Sequence, residues 1–437
     1  MGDQPRTRLE QILRQRHLTL EDFRRRYERA AGTDLSERQA YRWVAGDLQS
    51  LPYPHAQAAL ERLFGEPAAH LFGAPYGTGA VVPARRYGDR GSARTDWQGQ
   101  VVAMSADRAR DFLTRAEASN VGAETIDQLA DDIRRLAVAS REQTLIQLLG
   151  DLVDTQDRAF NLLEGRQKPD QARDLYLLAG VATGFMAKVS HDVGAAHDAM
   201  TQARTAYVCA DNAGHDGLRT WVRGLQSGIA YWSGRRDDAL RYAEQGAETA
   251  ARSRGSASIR LSSGQARALA ALGRIADARV EIDRAAELRE RFQPDDLDNL
   301  GGGYWFPRSR QLYFAADALT WAADEAPHTE RLATEALDAL TTAPAHDRGF
   351  GDEPGARCAL ALARVQQGNV DGAAEALAPV LELKPAQRIH GIVTSVEHVH
   401  IALHRTSRPS RTTTDLLEAI QAFTAARLSL PKADDLP

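Results

Sequence analysis

The chain has 437 residues, roughly three times the size of a common single domain, so we expect two or more folding units. A hydrophobic fraction of 43% and a charged fraction of 26% are ordinary for a globular protein and exclude disorder as the main state. The net charge of −5 excludes a polycation that binds phosphate backbones over its whole surface. Aromatic residues make up only 6%, so Leu, Ala, Val and Ile must build most of the core.

The cysteine count and the hydropathy pattern indicate the cellular compartment. Cys209 and Cys358 are far apart, each within a helix-like stretch, so we expect no disulfide and a reducing compartment. The first residues lack the apolar segment of a signal peptide. No apolar run approaches the ~18 residues of a membrane-spanning helix. The sequence therefore predicts a soluble, cytoplasmic protein with no membrane partner.

Residues 1–72 predict a small domain of four or five short helices. Thr19 is a good N-cap for the second helix, which has Asp22 at its third position and can end at Gly32. Another helix follows Pro54 or the proline two residues before it, with its leucines turned inward. The domain holds 11 Arg against 10 Asp or Glu, so its positive charge is weak.

The third helix of this domain carries the most specific motif in the chain, LSERQAYRWVAG from Leu35 to Gly46. Ser36 and Gln39 have the spacing of a capping box, and Gly46 can end the helix. The order of short helices, with a third that ends in Trp-x-x-Gly, resembles the lambda-repressor-like helix-turn-helix domain of the XRE class.

That resemblance implies a recognition helix that enters the major groove of double-stranded DNA, where arginine is the preferred partner of guanine. The positions it assigns to DNA binding are Ser36, Glu37, Arg38, Gln39 and Arg42. Trp43 is expected to point away from DNA, into the small core. An alternative stays open: the domain docks on a protein partner and its arginines form a solvated face.

Six glycines and two prolines interrupt any helix in residues 73–104, which we interpret as a linker. Beyond it, residues 105–430 show nearly unbroken helical periodicity, with apolar residues three and four apart. Strand-like alternation is almost absent. The predicted fold class is therefore all-α.

The long C-terminal part contains an internal repeat. A Gly is followed five residues later by an Ala, and the first three copies are 40 and 39 residues apart, at Gly194/Ala199, Gly234/Ala239, Gly273/Ala278 and Gly368/Ala373. A small residue precedes each Gly by seven positions, at Ala187, Ser227, Ala266 and Ala361. The Gly can end one helix in a left-handed cap, and the small residues let paired helices approach closely.

This pattern resembles the tetratricopeptide repeat, although its period exceeds the usual ~34 residues. The resemblance implies an α-solenoid of helical hairpins behind the helix-turn-helix domain. Proteins with both parts are transcriptional regulators, and the likeness implies a homodimer that a peptide or small-molecule effector controls. A protein-interaction scaffold is the alternative from a different class.

A segment between repeats is the candidate effector site. Three glycines, a flexible hinge, precede aromatic and basic side chains that could line a groove and hold an anionic group, namely Tyr304, Trp305, Arg308 and Arg310. No Walker loop, dinucleotide fingerprint or serine nucleophile elbow is present, so we expect neither a cofactor nor an enzyme. The histidines His390, His398, His400 and His404 cluster without a metal motif, and we expect no metal.

Overall fold

The computed structural model describes residues 5–16, 18–48, 51–75, 105, 119–139, 145–406 and 410–426. These residues form helices and the turns between them and contain no β-strand, which confirms the predicted all-α class. Contacts divide the chain into two compact units, Met1–Met104 and Ser105–Pro437. Of the predicted linker only residues 73–75 belong to the described part of the chain.

The N-terminal unit contains five helices: α1 (Arg8–Gln15), α2 (Leu20–Ala31), α3 (Glu37–Ala45), α4 (Pro54–Phe64) and α5 (Ala68–Leu71). A capping box begins α2, because Thr19 Oγ1 accepts from the N–H of Asp22 and the Asp22 carboxylate accepts from the N–H of Thr19, both at 3.1 Å. Gly32 and Gly46 end α2 and α3 with φ of 67° and 74°, as the sequence predicts. A single small core joins the helices.

Helices of the C-terminal unit follow one another through short turns. The first eight are α6 (Ala123–Ala139), α7 (Leu145–Leu163), α8 (Pro169–Asp192), α9 (Ala196–Ala213), α10 (Asp216–Trp232), α11 (Arg236–Gln245), α12 (Ala247–Arg252) and α13 (Ser256–Ala271). The remaining eight are α14 (Ile275–Glu290), α15 (Asp296–Leu300), α16 (Arg308–Leu319), α17 (Ala326–Thr342), α18 (Asp352–Gln366), α19 (Val370–Leu381), α20 (His390–Thr406) and α21 (Arg411–Ala425). Short 3-10 turns lie at Ala323–Glu325, Ala345–Asp347 and Pro385–Gln387.

The repeated Gly and Ala lie where the sequence pattern predicts. The four glycines end helices in the left-handed region, with φ of 87°, 73°, 78° and 80° at Gly194, Gly234, Gly273 and Gly368. The alanines that follow by five residues are completely buried. Ser227, one of the small residues, donates from Oγ to the carbonyl of Ala239 at 2.8 Å and so links α10 to α11. Small side chains therefore let the helices of a hairpin pack closely.

Successive hairpins of this unit stack in order. Helices α8, α10, α13, α16, α18 and α20 form one row, each in contact with the next, and each of them packs against its hairpin partner. Helix α20 also contacts α8 and α10, so the last helix of the row meets the first two. Nε2 of His390 lies 3.3 Å from the carbonyl oxygen of Trp232, and the rings of His191 and His390 are 5.8 Å apart. The row therefore curves until its ends meet around a central space.

Candidate ligand cavity and candidate nucleic-acid interface

One face of α3 is exposed along its whole length. Every residue that the helix-turn-helix resemblance assigns to DNA is solvent-exposed: Ser36, Glu37, Arg38, Gln39 and Arg42. The opposite face holds Ala40 and Trp43, at 0% and 3% exposure. The ring of Trp43 meets those of Tyr27 and Phe72 edge-on, with centroids 5.3 and 6.1 Å apart. The expected inward direction of Trp43 is confirmed.

The start of α3 is capped on one side only. Ser36 Oγ accepts from the N–H of Gln39 at 3.3 Å, while the return bond from the Gln39 side chain, which a capping box requires, does not occur in this described segment. The Gln39 side chain is therefore exposed beside Arg38. Nε of Arg42 lies 3.6 Å from a carboxylate oxygen of Asp47, and Arg38 has no ion pair with any described residue. Exposed pairs of this kind are weak and exchange readily for another anion.

A groove of about 730 Å³ lies beside the exposed face of α3. Arg38, Gln39 and Arg42 line it on one side, and Leu51 and Tyr53 on the other. Tyr53 is 80% exposed, so an aromatic surface accompanies the arginines. This unit therefore offers both charge and apolar contact to a partner.

The C-terminal unit contains a partly open cavity of about 340 Å³ in the space around which the row of helices curves. Its wall comes from α8, α10, α13, α16, α20 and the first residue of α18, and from the segments that precede α16, α18 and α20. Leu225, Ile229, Trp232, Phe314 and Ile392 form much of the apolar lining. A concave site with apolar walls and a few polar groups has the general form of a small-molecule site.

The structure places two of the four predicted effector residues in this cavity. Trp305 and Arg310 line it, together with Gly302 and Gly303 of the glycine hinge. Tyr304 does not, because it is 1% exposed and its ring lies 4.5 Å from that of Trp221 in the core. Its hydroxyl donates to the carbonyl of Val181. Arg308 is exposed in the first turn of α16 and also lies outside the wall.

Three basic side chains of the wall already have a carboxylate partner. Lys188 pairs with Asp192 one helical turn later. Nε of Arg310 lies 2.9 Å from Asp352. Nε of Arg267 lies 2.8 Å from Asp317, and the Arg267 guanidinium also sits 3.5 Å from the ring centroid of Phe314. Each of these charges is neutralised within the protein.

Arg260 differs from these three. Its Nη1 is buried and meets no hydrogen-bond acceptor among the described residues, and no described carboxylate pairs with it. The guanidinium stacks on Trp221, 4.8 Å from the ring centroid. Burial, and then the positive charge of Arg310, lower the pKa of Arg260 to about 9. Arg348, the remaining basic side chain of the wall, has no described carboxylate partner either, but it is exposed and its guanidinium donates to the carbonyl oxygens of Ala343 and Thr341. Among the described residues, Arg260 is thus the cation of the wall that is both shielded from water and without a counterion.

Other polar atoms of the wall also have no hydrogen-bond partner among the described residues, namely Nε and Nη2 of Arg267, whose charge Asp317 balances, and Nδ1 of His191. His191 is 7% exposed, and its Nδ1 has no hydrogen-bond partner in the part of the chain that the structure describes. Burial lowers the pKa of this imidazole to about 4, so the ring is neutral at pH 7. Buried polar atoms without a partner are uncommon and call for an explanation such as a bound molecule.

Neither Arg260 nor His191 is among the residues expected from the sequence to bind a ligand. One signal was available: Arg260 and Arg267 are seven residues apart in a stretch that is otherwise uncharged, which puts both on one face of a helix. His191 had no such signal, because its neighbours in the cavity come from distant helices.

The remaining histidines and both cysteines have structural surroundings. His398 packs on Trp321 with centroids 5.3 Å apart, and the rings of His400 and His404 are 4.6 Å apart on α20. Among the described residues no group of three or more His, Cys, Asp or Glu is arranged to hold a metal ion. Both cysteines are buried and free, and burial raises the pKa of Cys209 to about 11.

Comparison with known proteins adds no family to these observations. No protein-family model matches the chain, and no curated protein is detectably similar to it. Within the described ranges, no helix has both the length and the apolar character needed to cross a bilayer. Function must therefore be inferred from the two sites themselves.

Proposed function

We propose that this chain is a DNA-binding transcriptional regulator whose C-terminal tetratricopeptide-like unit binds an effector. The observation that carries the proposal is the exposed face of α3, with Arg38 and Arg42 one turn apart on a helix that Ser36 caps and Trp43 anchors. Arginines four residues apart lie on one side of a helix, so both can reach base edges in one groove.

The N-terminal unit supplies the other parts of a DNA-reading helix. A tight turn with left-handed Gly32 joins α2 to α3, and Nε of Arg24 donates across it to the carbonyl of Leu35 at 2.6 Å. This bond helps to hold the angle between the two helices. The exposed hydroxyl of Ser36 stands at the start of α3, where the helix dipole favours a phosphate.

A homodimer follows from the proposed mode of binding. One recognition helix buries too little surface for tight specific binding, and proteins of this architecture usually read two half-sites. We expect the dimer to be held mainly by the C-terminal unit, since the apolar residues of the N-terminal unit are largely used in its own core. Light scattering on the full chain at micromolar concentration, with and without DNA, should give twice the monomer mass; a monomer in both conditions would contradict this expectation.

A protein-docking domain is the second candidate, and the groove beside α3 favours it. Leu51 and Tyr53 are exposed there, at 44% and 80%. Aromatic side chains of this kind are enriched in protein interfaces. A protein partner would use this apolar edge, whereas DNA would use the arginines.

The experiment that separates the two candidates starts from a duplex selected by the full chain out of a randomised library. Fluorescence anisotropy then measures affinity over a salt series. DNA binding predicts a steep loss of affinity with salt, because the protein releases counterions from the phosphates. Arg38→Ala or Arg42→Ala should each weaken specific binding by about 1–3 kcal/mol and relax the preference at one base pair.

The matched control is Arg291→Ala, which removes the same charge from the exposed end of α14 in the other unit. It should leave DNA affinity unchanged. If a folded Arg38→Ala, Arg42→Ala double variant binds the selected duplex as tightly as the natural chain does, the DNA proposal is wrong and the docking domain stands.

A further inference from the structure

The uneven pairing of charges in the C-terminal cavity points to the chemistry of its ligand. Three of the basic side chains in the wall have a carboxylate within ion-pair distance, at Asp192, Asp317 and Asp352. Arg260 has none among the described residues. Arg260 is partly buried, with its Nη1 shielded from water, and a cation held in this way without a counterion is unfavourable unless a bound anion compensates for it.

We propose that the cavity binds a small organic acid, a singly charged carboxylate with an apolar or aromatic body, whose anionic group pairs with Arg260. The inference rests on the proposed function only in naming this acid as the effector; the binding itself does not depend on DNA. His191 Nδ1, also unpartnered among the described residues, offers a hydrogen bond to a second polar group of the ligand.

The charge of the ligand follows from the balance in the wall. Two basic side chains of the wall, Arg260 and Arg348, have no carboxylate partner among the described residues. Arg348 is exposed to solvent and donates to two backbone carbonyls, so only the partly buried Arg260 needs one compensating negative charge. A phosphate monoester carries close to two charges at pH 7, and Arg260 by itself would compensate only one of them. A guanidinium also matches a carboxylate in shape, because both are planar and can form two parallel hydrogen bonds.

The volume and the lining of the cavity indicate the size and polarity of the rest of the ligand. Its volume of about 340 Å³ is roughly twice that of a ~150 Å³ cavity that holds one benzene, so the ligand is a compact molecule rather than a long peptide. Trp232, Phe314 and Ile392 offer an apolar surface to its body. An unbranched chain or a body of up to three aromatic rings fits this space.

Gly264 shows where the ligand body would lie. It follows Arg260 by one helical turn on α13 and lines the same cavity. A Cβ added at Gly264 would meet only the hydroxyl of Ser227, at 4.0 Å, so the glycine leaves open space next to the arginine. A larger side chain at this position would occupy that space without changing any charge.

The test compares two fluorescent probes that share one skeleton. 8-Anilinonaphthalene-1-sulfonate is a singly charged organic anion, and N-phenyl-1-naphthylamine is the same molecule without the sulfonate. Both are titrated into the full-length chain in the absence of DNA. We expect Arg260→Gln to lower the affinity for the anionic probe at least ten-fold and to leave the affinity for the neutral probe unchanged. Arg260→Lys should keep most of the affinity for the anionic probe.

Two further measurements define the site. Decanoate should displace the anionic probe and decanamide should not, which tests the carboxylate itself. Gly264→Leu should lower the affinity for both probes, because the leucine side chain fills the space that the ligand body needs. Arg291→Gln, an equal charge change outside the cavity, should weaken neither. Thermal unfolding should show Arg260→Gln at least as stable as the natural chain without ligand, because it removes an uncompensated charge.

Several results would overturn the inference. One is that the anionic probe does not bind the natural chain. Another is that Arg260→Gln leaves the affinity for the anionic probe unchanged, or lowers the affinity for both probes equally. Displacement by decanamide as effective as that by decanoate would also contradict an organic acid. The outcome is independent of the DNA experiment, since the Arg38 and Arg42 variants retain the cavity and the Arg260 variant retains α3.

Discussion

Trp43→Ala should unfold the N-terminal unit while the C-terminal unit remains folded. The indole is 3% exposed and contacts Tyr27 and Phe72 edge-on. Truncation of a buried Trp or Phe to Ala destabilises a domain by about 3–5 kcal/mol. The unit has about 70 described residues, and at ~0.05–0.15 kcal/mol per residue its total stability is on the order of 4–10 kcal/mol. The single change thus removes much or all of it.

Hydrogen exchange with peptide-level mass analysis measures this in the full chain, because it reports each unit separately. In Trp43→Ala, peptides from α2 and α3 should lose protection, and peptides from α8 to α14 should keep theirs. The matched control is Tyr41→Ala on the exposed face of α3, where the ring is 57% exposed and truncation should change stability by about 0.5 kcal/mol or less. Unchanged protection of α3 in Trp43→Ala would refute the assignment of Trp43 as the anchor of this unit.

Two further predictions concern the C-terminal unit. Gly302→Ala should lower the stability of the C-terminal unit by about 1–2 kcal/mol in urea denaturation, because φ of Gly302 is 57° and an added Cβ would lie 2.6 Å from the carbonyl oxygen of Ala137. Gly228→Ala is the control, because this helical position has open space around it and an added Cβ should not destabilise the unit. Equal urea midpoints for the two variants would contradict the argument. The pKa of buried His191 is about 4 against 6.5 in the unfolded chain, so only the unfolded state takes up a proton between these values and stability falls as pH falls through this window. Between pH 7 and pH 5 the His191 imidazole should account for a loss in the free energy of unfolding on the order of 2 kcal/mol, and His191→Gln should reduce the pH dependence of that free energy by the same amount. Identical pH profiles for the natural chain and the variant would contradict the burial of His191 in its neutral form.

Local features of the fold could be predicted from the sequence because their causes are local. A left-handed cap needs glycine within one turn of the helix end, and a capping box needs two side chains three residues apart. The caps at Gly32, Gly46 and Gly234 and the N-cap at Thr19 therefore follow from short motifs, whereas the capping box predicted for Ser36 and Gln39 forms only its Ser36 half. The burial of the repeated alanines follows in the same way from helical spacing.

The cavity could not be predicted, because it depends on contacts between distant parts of the chain. The bond between His390 and the carbonyl of Trp232 joins residues 158 positions apart. No short motif encodes such a meeting, which depends on the curvature accumulated over successive hairpins. The effector segment was therefore found only in part: Trp305 lines the cavity, whereas Tyr304, with the same apparent role in the sequence, fills the core.

The identity of the unpaired arginine was likewise beyond sequence analysis, and this has a physical reason. A basic residue becomes a ligand-binding group only when no carboxylate of the protein reaches it, and that carboxylate can come from any helix. The partner of Arg267 is 50 positions away and that of Arg310 is 42 positions away, so neither pairing follows from local spacing. Arg260 and Arg267 lie on one helix, in similar sequence surroundings, yet Asp317 neutralises only the second. The difference between a structural and a ligand-binding arginine on α13 is thus the position of one distant carboxylate. An Arg260 variant therefore tests whether the arginine that the fold leaves without a carboxylate partner is the one that binds the ligand.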